Sequence, residues 1–61
     1  MNSVLQELVG KKVSVHSAHA AVADIGVLES FDQQWVRLRK SDTDILYFGI
    51  AQIRLIKPFL S

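Results

Sequence analysis

The period of the apolar residues changes once, at Gly10, and the whole chain after that point fits short strands. Before it, Met1, Val4, Leu5, Leu8 and Val9 recur at the three-and-four spacing of one helix face. Ser3 and Gln6 have the spacing of a capping box, and Gly10 supplies a left-handed stop. After it, Lys12-Val13-Ser14-Val15-His16 alternates strictly, as a half-buried strand does. Four further strands are expected at 25–31, 35–40, 45–48 and 52–57, the last stopped by Pro58. Their connections are short: Asp32-Gln33-Gln34, a polar turn at 41–44 and a break at 49–51. The stretch 17–24 carries four alanines, yet eight residues between strands read as strand ends around a hairpin. No Asn-Gly or Asp-Gly fixes its register. Gly26, inside the second strand, predicts a sharp bend or a bulge. The expectation is one domain over 1–61, mostly β. A short α-helix precedes a five-stranded, strongly bent, small closed β-barrel.

Size then bears on assembly. At 61 residues, apolar burial and the entropy of ordering the chain nearly cancel. No cysteine is present to add a disulfide or a zinc-finger site. Self-association is therefore expected to supply the missing burial. Charge narrows the partners: a net charge of +1 gives no long-range field for a polyanion. Nucleic-acid contact has to come from a local patch, or from charge repeated around an oligomer. No apolar run approaches the ~20 residues of a membrane span. Met1-Asn2-Ser3 lacks the basic and apolar regions of a signal peptide. With no cysteine, these features point to a cytoplasmic protein without a membrane partner.

Catalytic and metal chemistry find little support. His16 and His19 are three apart on a strand and point to opposite faces, with Asp24 the nearest carboxylate, so no metal site is expected. Ser17, His19 and Asp24 lack a positioned base and an oxyanion hole, and the glycines do not form a phosphate loop. Neither an enzyme nor a cofactor is expected. The stronger pattern is Trp35-x-Arg37-x-Arg39, which puts an aromatic ring and two guanidinium groups on one strand face. Such a face can stack bases and pair with phosphates, each stacked base contributing roughly 1–3 kcal/mol. A solvent face whose Trp packs under the N-terminal helix or a neighbouring subunit is the alternative. Asp32 fits a turn organiser, and Leu28 and Phe31 fit the core.

The run Gly26-Val-Leu-Glu29-Ser30-Phe31-Asp32-Gln33 resembles the first signature of the Sm-like superfamily, and within it the Hfq-like proteins. Leu5-x-x-Leu8 followed by Val13-x-Val15 has the spacing of that family's N-terminal helix and first strand. Tyr47 stands where the second signature begins, and Pro58 follows the last strand. The resemblance covers nearly the whole chain, with one gap in the first hairpin and one extra residue near Gln34. It implies a cyclic homo-oligomer, a hexamer or heptamer, closed by pairing strand 45–48 of one subunit with strand 52–57 of the next. It also implies binding of single-stranded RNA, as a riboregulator does. Gln33 and Tyr47 match the uridine pocket, Trp35 can take its aromatic role, and Lys11 and Lys12 stand for the basic rim. Arg37 and Arg39 add cations from the strand face. Phe48 and Gly49 occupy the positions of the family's Lys and His, and the aromatic of the adenine-binding face falls at about Ala18. Phe48 and Gly49 would leave an apolar patch, which suits an alternative: an oligomeric structural or protein-interaction barrel that has lost RNA binding.

Overall fold

The structure, a computed structural model, describes residues 4–59. Met1 and Ser3, counted above toward the helix and its cap, lie outside them. Val4–Leu8 forms a 3₁₀ helix rather than an α-helix. Five residues are too few for the α-helical nucleus to be favourable, and a 3₁₀ turn is the usual form at that length. Leu5, Leu8 and Val9 still turn inward and pack against the core, as their spacing predicts, whereas Val4, counted on the same face, is exposed. Gly10 ends the turn at φ +85°, a conformation that disfavours any residue with a Cβ.

Five strands follow: β1 (Lys12–Ser17), β2 (Asp24–Phe31), β3 (Trp35–Ser41), β4 (Asp44–Gly49) and β5 (Ile53–Pro58). They form one antiparallel sheet in the order β4-β3-β2-β1-β5. The expected closed barrel is corrected here: the sheet is open, with β4 and β5 as its two edges. It is nonetheless curled, for a geometric reason. Five strands laid flat would set β4 and β5 roughly 19 Å apart at the usual 4.8 Å spacing. Only the 3₁₀ turn Ile50–Gln52 joins them, and the four steps from Gly49 to Ile53 reach about 14 Å at most. The edges are drawn toward each other at that end without pairing.

Alternation along the strands builds the core. Val13, Val15, Leu28, Val36 and Leu38 are fully buried, with Phe31, Phe48, Ile50, Ile53 and Ile56 half-buried around them. An apolar groove of about 450 Å³ remains between Leu5 and Leu8 on one side and Val36, Ile53 and Ile56 on the other. The chain exposes 4569 Å², against the roughly 4,000 Å² expected of a compact monomer of this mass. Residues 18–23 are turn and bend, so the hairpin reading holds and the alanines form no helix. No helix among the described residues is long and apolar enough to cross a membrane.

Gly26 and the bulge separate into two features. A methyl group on Gly26 would sit 2.5 Å from the carbonyl oxygen of Arg39, so glycine is required by the close approach of β2 to β3. The bulge lies three residues on, at Glu29: Leu28 faces Leu38 and Ser30 faces Arg37, leaving Glu29 as the extra residue.

Candidate nucleic-acid interface

The turn between β2 and β3 sets the site. The Asp32 carboxylate accepts hydrogen bonds from the backbone N–H groups of Gln34 (2.7 Å) and Trp35 (2.8 Å). Those two donors hold its carboxyl below the usual aspartate range, against a smaller opposing effect of desolvation. Asp32 is thus the turn organiser that its position suggested. Its two bonds fix where β3 begins, and so which residues of β3 face outward.

From that start, Val36 and Leu38 go inward and Trp35, Arg37 and Arg39 go outward. Pairing with β4 sets Gly49 opposite Trp35, Tyr47 opposite Arg37 and Ile45 opposite Arg39. Trp35 is half exposed and Tyr47 more so. The Arg37 guanidinium lies 5.8 Å from the centroid of the Tyr47 ring, within cation–π range. Gln33, Gln34, Trp35, Gly49, Ala51 and Gln52 line a shallow groove of about 470 Å³ beside these rings. Four of the expected residues, Gln33, Trp35, Arg37 and Tyr47, therefore share one region of surface.

The others do not join them freely. Arg39 donates a short hydrogen bond from Nε to the Glu29 carboxylate, and a longer one to the carbonyl of Asp42 (3.5 Å). Arg37 Nε lies 3.2 Å from the other Glu29 oxygen without hydrogen-bond geometry. The hydrogen bond from Arg39 chiefly holds the Glu29 carboxyl below the usual range, over a smaller desolvation effect, with the charges of Arg39 and Arg37 adding to it. Lys40 is occupied by Asp24 at 3.1 Å. Lys12 lies two strands away, opposite Val27, with its ammonium 4.8 Å from the Phe59 ring. Lys11 is exposed next to it. The basic residues expected at the site thus divide between two areas, and the two β3 arginines share one carboxylate. His16 faces Ser14 at 3.4 Å, and among the described residues no three His, Cys, Asp or Glu side chains converge.

Compared with known proteins, the chain matches no family model, no curated protein and no solved structure.

Two residues read differently once the strands are paired. Phe48 faces Val36 and packs against the core, so it does not form the exposed apolar patch expected of it. Glu29 counted before only as a letter of a motif, yet it is the charge that governs Arg37 and Arg39. A carboxylate on a strand next to one with two outward arginines was the available signal. Its face, however, depends on the bulge, which period-two counting does not reveal.

Proposed function

We propose that the protein is an Sm-like subunit of a cyclic homo-oligomer that binds single-stranded RNA on the outer face of the β3–β4 hairpin. One observation carries this reading. Gln33 and Trp35, the positions the resemblance gives to base recognition, line the same groove, and Tyr47 and Arg37 lie on the adjoining face. An exposed indole, an exposed phenol ring and a guanidinium suit stacking and phosphate pairing with little dependence on sequence. Two observations support the ring. The sheet has an unpaired edge at β4, and it has a second unpaired edge at β5. Pairing one edge with the other on a neighbour leaves no edge open when the rotation closes. Around a hexamer, +1 per chain becomes about +6 on one particle.

The test is a salt titration with short oligo-U and oligo-A, followed by Trp35 fluorescence. Binding that weakens steeply with salt supports the proposal. No binding at low salt overturns it. The second reading, a ring or barrel that holds a protein instead of RNA, is favoured by Glu29 sitting on the two arginines and by Phe48 and Gly49 in place of Lys and His. An intact oligomer that ignores both homopolymers selects that reading.

A further inference from the structure

The trio Glu29, Arg37 and Arg39 is out of balance in a particular way. One carboxylate serves two guanidinium groups, whereas the third cation of β3, Lys40, has its own partner in Asp24. Arg39 makes a hydrogen bond to Glu29 and Arg37 does not: its Nε is shut off from solvent with no acceptor among the described residues. Yet the side chains of Arg37 and Arg39 are 40% and 35% exposed, so an anion from solvent can reach their remaining N–H donors. The carboxylate is there because of the bulge, which inserts Glu29 between the positions facing Leu38 and Arg37.

We propose that Arg37 and Arg39 form a phosphate subsite for a single-stranded nucleic-acid backbone, and that Glu29 occupies it as a tethered internal anion in the free protein. The proposal rests on the RNA reading for its ligand and adds a residue that sets its specificity. Two phosphate oxygens can bridge the outward N–H groups of the two guanidinium groups. Because Glu29 is tethered, its effective concentration at the arginines is in the millimolar range or above, so a free monovalent anion in dilute solution competes poorly. A strand whose bases are already stacked on Trp35 and Tyr47 presents its phosphate at comparable effective concentration and displaces the carboxylate into solvent. Glu29 thereby excludes anions that do not also stack.

The experiment compares the parent protein with Glu29→Gln, which keeps the side chain's shape and removes its charge. Two readouts are taken: the NMR shifts of the Arg37 and Arg39 Nε–H groups on adding inorganic phosphate, and the salt dependence of oligo-U binding. In the Gln variant both Nε–H signals are expected to move with millimolar phosphate, while in the parent they stay still. The Gln variant should bind oligo-U more tightly than the parent with a similar salt slope, because the same phosphate contacts form in both once Glu29 is displaced. If the variant's arginines respond to phosphate but neither protein binds oligo-U, the subsite stands and the RNA reading falls. If the variant's arginines ignore phosphate, or the parent's respond equally, the proposal is overturned whatever the RNA result. Should Glu29→Gln fail to fold, Glu29→Asp is read the same way. Its carboxylate is one methylene shorter and reaches the arginines less well, so a smaller phosphate response is expected and none overturns the proposal.

Discussion

Replacing glycine by alanine should lower stability at Gly26 and not at Gly49. At Gly26 the added methyl would lie 2.5 Å from the Arg39 carbonyl oxygen, 3.0 Å from its carbon and 3.2 Å from Leu38 Cγ. Ordinary carbon–oxygen contacts are about 3.3–3.6 Å, and the obstructing atoms are backbone of the adjacent strand, which can yield only by parting β2 from β3. Overpacking of this kind costs about 1–3 kcal/mol, offset by about 0.4–1 kcal/mol from the stiffer unfolded chain. A net loss of about 1–2 kcal/mol lowers Tm by roughly 5–15 °C in a domain this small. At Gly49 the backbone is extended (φ −67°, ψ 131°), and the nearest atoms to an added methyl are side-chain carbons at 3.8 and 4.0 Å. Gly49→Ala should therefore leave Tm unchanged or raise it by up to about 5 °C. Thermal unfolding by far-UV circular dichroism reads both, at one protein concentration because the Tm of any oligomer depends on concentration. Equal shifts for the two variants, or a Gly26→Ala Tm within about 2 °C of the parent, would refute the close-approach reasoning.

Three other outcomes are expected. Leu38→Ala removes a fully buried side chain from the centre of the sheet and should cost about 2–5 kcal/mol in urea unfolding; a loss under 1 kcal/mol would misplace the core. Trp35→Ala should weaken oligo-U binding by about 1–3 kcal/mol per stacked base while leaving the far-UV spectrum and particle mass unchanged, since the indole is half exposed. Asp32 and Glu29 both have folded-state pKa values below their unfolded ones, so the stability they confer is present above the unfolded pKa and is lost as pH falls through the folded one. The urea midpoint should accordingly drop with acid from about pH 4.5 downward, and Asp32→Asn should flatten part of that drop; an unchanged profile would remove Asp32 from the account.

Strand positions were legible because each strand carries its own alternation, and every boundary fell within one residue of expectation. The Val13/Val15 and Val36/Leu38 pairs define the core by spacing alone, and Asp32 announces its turn by chemistry. What escaped was non-local. Whether β4 and β5 pair is decided by sheet curvature and not by either strand's residues. The N-terminal segment has a helical pattern, but it is too short to choose α over 3₁₀ geometry. The bulge at Glu29 depends on how β2 registers against β3, which no count along β2 supplies. The site suffered most from this: Trp35, Arg37 and Arg39 were placed by parity and Tyr47 by resemblance, whereas the anion that occupies Arg37 and Arg39 was placed by the bulge.

The proposed ring would pair the open edges of β4 and β5 between neighbours, and particle mass in solution tests it most directly. Size-exclusion chromatography with multi-angle light scattering should give six or seven times the 6.8 kDa chain, about 41 or 48 kDa, unchanged on dilution through the micromolar range. A single species of 6.8 kDa would contradict it.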